Sequence, residues 1–161
     1  SPQANYPVEF WLRTTDLNEV VVSTWDGTEQ SSYPIELVVD HGGRLRFYRG
    51  RPGHHESMAT PTPVADGQWH HVALTHEATA GWTRLFFDGQ AADSLYNPVL
   101  PDIRHQRALA LGGRLPARGE VIAPMNAYTG LIDEVRLWPV VRKPEALRRN
   151  ERAAGRCDFG G

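Results

Sequence analysis

Asp66-Gly67-Gln68-Trp69-His70-His71-Val72-Ala73-Leu74-Thr75 and, further on, Arg84-Leu85-Phe86-Phe87-Asp88-Gly89-Gln90 decide the fold of this chain. Asp66-Gly67 is a turn pair that opens a strand with Trp69 at its mouth. Along that strand His70, Val72 and Leu74 fall on one face, and Trp69, His71, Ala73 and Thr75 on the other. In the strand that follows, Leu85 and Phe87 are expected toward the core, with Trp82, Arg84 and Phe86 outward. Asp88-Gly89 signals a hairpin, because a type I′ turn needs two residues that tolerate positive φ.

The same period of two runs outward from this segment in both directions. Val8, Phe10 and Leu12 alternate with Glu9, Trp11 and Arg13; Ile35, Leu37 and Val39 alternate with Glu36, Val38 and Asp40; Leu45 and Phe47 alternate with Arg46 and Tyr48. Such alternation marks strands with one buried face. A denser apolar strand is expected at Val20–Trp25, and others at Trp69–His76, Trp82–Phe87, Arg107–Leu111 and Gly130–Trp138. Only Lys143–Asn150 reads as helical, with Pro144 in its first turn and arginines near its end. Residues 49–65, which carry His54-His55, and residues 113–127 read as long loops. Many short strands between turn clusters predict an all-β, two-sheet antiparallel sandwich, a single domain over residues 1–161 whose tail, 151–161, is expected to be flexible.

Composition narrows the function. The chain has 161 residues, 40% of them hydrophobic and 22% charged, enough to bury a core without disulfides or metal. Seventeen basic against nineteen acidic side chains give a formal charge of −2, which lacks the basic excess of a nucleic-acid partner. No apolar run approaches the ~20 residues of a membrane-spanning helix, so direct membrane insertion is not expected. Cys157 is the single cysteine, so no disulfide forms within the chain.

Three segments together resemble the laminin-G-like jelly-roll domains of the concanavalin A-like lectin/glucanase superfamily. They are Val8-Glu9-Phe10-Trp11-Leu12-Arg13, the two stretches quoted at the outset, and Gly130-Leu131-Ile132-Asp133-Glu134-Val135-Arg136-Leu137-Trp138 with the short helix after it. The resemblance spans residues 8–150 and implies a jelly roll. It further implies a calcium ion near one end of the fold, held by side-chain carboxylates and backbone carbonyls, with Asp133 at the matching position. Family members begin with one more strand, which pairs beside the final one, and Ser1–Tyr6 is too short to supply it fully. The flank of Gly130–Trp138 is therefore expected to be an edge that takes an added strand. Both ends suggest a module of a larger polypeptide or assembly.

Catalysis finds no support. Glycosidases built on this sandwich set carboxylates at alternate strand positions, about 5–5.5 Å apart in retaining enzymes. The chain has no Glu-x-Asp-x-x-Glu pattern, and Glu36 and Asp40, at i and i+4 of a strand, stand roughly 13 Å apart. No Gly-x-Ser-x-Gly elbow is present. His54-His55 and His70-His71 are adjacent pairs, so neither presents both rings on one strand face, a poor arrangement for zinc. A ligand face is the better candidate. If the strands are neighbours, Trp11, Arg13, Arg46, Tyr48, His71, Trp82 and Arg84 share the outer side of one sheet, where aromatic rings beside arginines suit sugar stacking or a protein hot spot. Packing of the two long loops over that face is the competing account. The expected function is a non-catalytic module that recognises a glycan or a protein outside the cytoplasm, whether extracellular, at the cell surface or periplasmic. The alternative is a structural or accessory subunit of a protein assembly.

Overall fold

The computed structural model describes residues 8–77, 79–98, 109–115 and 127–137. They form ten strands and no helix: β1 (Val8–Arg13), β2 (Glu19–Ser23), β3 (Tyr33–Val39), β4 (Leu45–Arg51), β5 (His54–Ala59), β6 (His70–Glu77), β7 (Trp82–Phe87), β8 (Gln90–Tyr96), β9 (Ala110–Leu111) and β10 (Leu131–Leu137). Two five-stranded antiparallel sheets result, one in the order β10-β1-β6-β7-β8 and the other in the order β5-β4-β3-β2-β9. The helix expected at residues 143–150 and the tail lie outside the described residues.

In the first sheet β1 pairs with β6 so that Val8 faces Leu74 and Phe10 faces Val72. These four, with Leu12 and Leu85, are fully buried, as the alternation predicts. Each contributes about 1.5–3 kcal/mol through the apolar surface it removes from water. The hairpin from β7 to β8 turns at Asp88 (φ 47°) and Gly89 (φ 76°), the two positive values a type I′ turn requires. Asp88 also fixes the neighbouring strand. Its carboxylate accepts the His71 backbone N–H at 2.9 Å and lies 2.8 Å from His70 Nδ1.

In the second sheet Val22, Leu37, Val39, Leu45, Phe47 and Met58 form the buried apolar face. Two irregularities decide what its other face carries. The β3–β4 register runs from Tyr33 opposite Gly50 to Glu36 opposite Tyr48, so three steps on β3 answer two on β4. The β2–β3 register likewise slips between Val20 and Val22. Such bulges re-aim side chains. Here they bring Tyr33, Glu36 and Val38 onto one face with Tyr48 and Arg46.

Residues 49–65, expected to be a loop, are corrected by β5, which pairs along β4 from Arg51 opposite His54 to Arg46 opposite Ala59. Pro52-Gly53 makes the tight turn, with Gly53 at φ 75°. Of the expected loop at 113–127, only residues 113–115 and 127 are described. At the edge of the first sheet, β10 carries Glu134 at φ 49° in mid-strand, a left-handed conformation uncommon for a residue other than glycine.

Candidate functional site

The sheet face built by the two bulges forms a groove of about 680 Å³, within the range of small-ligand sites. Trp25, Tyr33, Glu36, Tyr48, His55 and Arg114 line its working part. Trp25 follows β2 in a turn pinned by Asp26, whose Oδ1 accepts the Thr28 N–H at 3.0 Å and the Ser31 hydroxyl at 2.5 Å. The indole Nε1 donates to the Thr28 carbonyl at 2.9 Å, which sets the plane of the ring. Tyr33 stacks on that plane, with ring centroids 4.9 Å apart and 27° between planes. Gly50 makes the room, since a Cβ there would meet Tyr33 Cε1 at 3.0 Å and His55 Cβ at 2.9 Å.

The polar half of the groove is an ion pair. Arg114 Nε donates to Glu36 Oε1 at 2.5 Å, and its guanidinium carbon lies 4.7 Å from the Trp25 ring centroid. Glu36 is only 2% exposed, and Ser23 Oγ donates to the same Oε1 at 3.2 Å. The second carboxylate oxygen, Oε2, has no hydrogen bond among the described residues. Burial, then the Glu36 carboxylate and Tyr48, push the Tyr33 hydroxyl up to about 12, while Arg114 pulls the other way. Tyr33 therefore stays a neutral hydroxyl, donor and acceptor, at any ordinary pH.

The residues expected to form one ligand face are divided by the structure, and that expectation is corrected. Arg46 and Tyr48 are on β4 in the second sheet, whereas Trp11, His71, Trp82 and Arg84 are on the first. Tyr48 lines the groove. Arg46 binds Asp40 Oδ2 at 3.2 Å. Arg13, at the end of β1, donates from Nε to the Gly67 carbonyl at 2.7 Å. On the first sheet His71 is 1% exposed, with Nε2 3.2 Å from the equally buried Glu9 and its ring 5.2 Å from Trp11. Phe86, expected outward, is buried against Ala73 on that same face. Trp82 and Arg84 lie further along, where the guanidinium sits 5.2 Å over the indole, Glu77 pairs with Arg84, and Tyr96 packs on Trp82. The outer face of the first sheet is thus largely closed at its β1–β6 end.

Asp133 lies exposed on β10, and its Oδ1 accepts the Glu134 N–H at 2.7 Å. Among the described residues no group of three or more His, Cys, Asp and Glu side chains is placed to hold a metal ion. Calcium takes about six to eight oxygens.

Trp25, Tyr33 and Arg114 escape a reading by alternation. Trp25 and Arg114 come from the irregular segments that follow β2 and β9, and Tyr33 reaches the face only through a bulge. Trp25, expected at the end of a strand over Val20–Trp25, lies beyond β2, which ends at Ser23, and the Asp26-Gly27 pair after it is the local signal for that end. Among the described residues no helix is long and apolar enough to cross a membrane.

A fold of two antiparallel sheets with a polar-aromatic groove on one sheet face defines a lectin-like β module. The family model of the concanavalin A-like lectin/glucanases superfamily, in its laminin G form, matches residues 1–148, and the chain belongs to that family. Among curated proteins it is 27% identical over 143 residues to the sushi, von Willebrand factor type A, EGF and pentraxin domain-containing protein 1 of Rattus norvegicus. That match covers 86% of this chain and 4% of the relative, so the chain spans a small fraction of the curated relatives it matches. Among solved structures, the CBM40 of a Ruminococcus gnavus IT-sialidase, bound to α2,3-sialyllactose, aligns with a TM-score of 0.69 at 16% identity, over 92% of this chain and 83% of that one. Domain 4 of AbnA, a GH43 extracellular arabinanase from Geobacillus stearothermophilus, in complex with arabinotriose, aligns with a TM-score of 0.69 at 22% identity, over 91% of this chain and 66% of that one. These likenesses establish the jelly-roll fold.

Proposed function

We propose that the chain is a non-catalytic binding module that seats a carbohydrate in the groove of its second sheet. The observation that carries this is the stack of Arg114, Trp25 and Tyr33 beside the buried carboxylate of Glu36. Flat rings hold the apolar face of a sugar, and a carboxylate next to a guanidinium supplies charged acceptors and donors for its hydroxyls. The sugar complexes of CBM40 and of AbnA domain 4 support the choice of ligand. Action outside the cytoplasm belongs to the same reading and is supported by the extracellular arabinanase.

The groove's chemistry speaks against turnover. Glu36 is committed to Arg114 and Ser23, and Asp40 to Arg46 and the backbone of its own turn. Neither carboxylate stands without an arginine partner. A glycan array followed by calorimetry tests the proposal: Trp25→Ala and Tyr48→Ala should each abolish binding that Trp82→Ala leaves intact. Loss with Trp82→Ala alone would move the site to the first sheet. Hydrolysis of the bound glycan, abolished by Glu36→Gln, would overturn the non-catalytic reading.

A protein partner is the second reading, favoured by Leu131 and Leu137, which are more than half exposed at the two ends of β10. Strand addition would have to pass the left-handed Glu134, so pairing is confined to either side of it. Hydrogen exchange along residues 131–137, slow in a native complex and fast in the isolated module, would support it. Equal, fast exchange in both would overturn it. A calcium ion at Asp133 is a separate proposal that rests on the resemblance alone. A melting temperature raised by calcium and returned by Asp133→Ala would support it.

A further inference from the structure

We infer that the groove selects neutral sugars presenting a vicinal diol and rejects sugars that carry a carboxylate or sulfate. This deepens the carbohydrate reading and rests on it. Recognition of an acidic sugar needs a guanidinium whose charge is not already neutralised by a carboxylate. The arginine at the floor of this groove is already paired: Arg114 holds Glu36 Oε1 and covers Trp25. Arg46, beside the groove, is held by Asp40. Arg51 is exposed at the rim, a position where screening by water and salt leaves little attraction.

Acids, by contrast, reach the lining from several elements. Glu19 and Glu36 are both buried, and Glu29 and Asp40 border the same space. An incoming carboxylate would meet Glu36 at the floor, a like charge on a buried side chain. A neutral diol meets the opposite situation. Glu36 Oε2 is available to accept one hydroxyl, and the guanidinium of Arg114, engaged through Nε, retains N–H groups to donate to its neighbour. The half-buried Tyr48 ring, which lines the same groove, lies alongside for the sugar's apolar face.

The test compares neutral oligosaccharides with acidic counterparts of the same backbone, lactose against 3′-sialyllactose and α-1,4-galactotriose against trigalacturonate, by calorimetry on the whole chain at low and high salt. At least one neutral member should bind, about tenfold or more tighter than any acidic one, with an affinity that salt hardly changes. Glu36→Gln should narrow the neutral-to-acidic ratio about tenfold, because it removes the like charge and leaves the Arg114 charge without its carboxylate. If Glu36→Gln does not fold, Arg114→Gln serves in its place and should weaken neutral binding without gaining acidic binding. Equal or tighter binding of an acidic sugar, lost at high salt, overturns the selectivity while leaving a carbohydrate module. Failure of every sugar in both sets overturns the carbohydrate reading itself, and the selectivity with it.

Discussion

Arg114 and Glu36 are 78 positions apart in the chain and meet through a 2.5 Å hydrogen bond from Nε to Oε1. The carboxylate side chain is 3% exposed and the guanidinium 26%. Such a pair owes its stability to both partners being present, because a buried charge left alone bears its full desolvation cost. Arg114→Ala should therefore lower unfolding free energy by about 1–3 kcal/mol. The double variant Glu36→Gln, Arg114→Gln should lose less than the sum of the single ones. Urea melts of the four proteins check this, and strict additivity would mean that the two side chains do not couple.

Gly130 admits no side chain. A Cβ at that position would stand 2.5 Å from the Arg13 carbonyl oxygen and 2.5 Å from the Tyr128 hydroxyl oxygen. The Tyr128 hydroxyl itself lies 3.0 Å from the Arg13 and Leu131 carbonyls, a bridge between the start of β10 and the end of β1. Gly130→Ala should destabilise by about 2 kcal/mol or more, the range of overpacking. Adding Tyr128→Ala should not restore stability, since the Arg13 backbone still obstructs. Full rescue by that second change would show that only the tyrosine sets the limit.

Asp40 makes the turn between β3 and β4 sensitive to acid. Burial alone would raise its pKa, but N–H groups of Arg44 and Gly42 and the Arg46 guanidinium outweigh burial and hold the carboxyl below its usual range. A folded value below the unfolded one contributes stability that is present above the unfolded pKa, near 3.9, and is lost as pH falls through the folded value. Melting temperature should fall below about pH 4, and Asp40→Asn should flatten that part of the curve. An unchanged acid limb in the variant would assign the loss to other carboxylates.

The sheet strands and the groove differ in how legibly the sequence carries them. Strands such as β1, β3, β6 and β7 declare themselves because one face is apolar and the other polar, and Asp88-Gly89 states its turn outright. β5 does not, because His54-His55-Glu56-Ser57 has no apolar alternation and owes its place to pairing with β4. The groove is harder still. Alternation counts Tyr33, Ile35 and Leu37 as one face, and the extra residue of a bulge, which only the paired strand reveals, moves Tyr33 to the other. Arg114 reaches Glu36 by tertiary placement, of which no local pattern gives notice. The outer face proposed from alternation, with Trp11 and His71, failed as a single surface because strand order, not strand pattern, decides which faces are neighbours.

Tyr33 and Tyr128 make the alkaline limit. Both hydroxyls are pushed up to about 12, in each case first by burial and then by a nearby carboxylate, Glu36 for Tyr33 and Glu19 for Tyr128. A group whose folded pKa is raised contributes stability that is fully present below its unfolded pKa, near 10, and is lost as pH rises through the folded value. Stability should therefore hold to about pH 10 and fall steeply between about 10 and 12. Tyr33→Phe removes one titrating group and should make that decline shallower by about one proton, read as the slope of unfolding free energy against pH. The variant keeps the ring that stacks on Trp25, so its stability at neutral pH should change little. A decline as steep in Tyr33→Phe as in the parent chain would show that the Tyr33 hydroxyl is not held neutral beside Glu36.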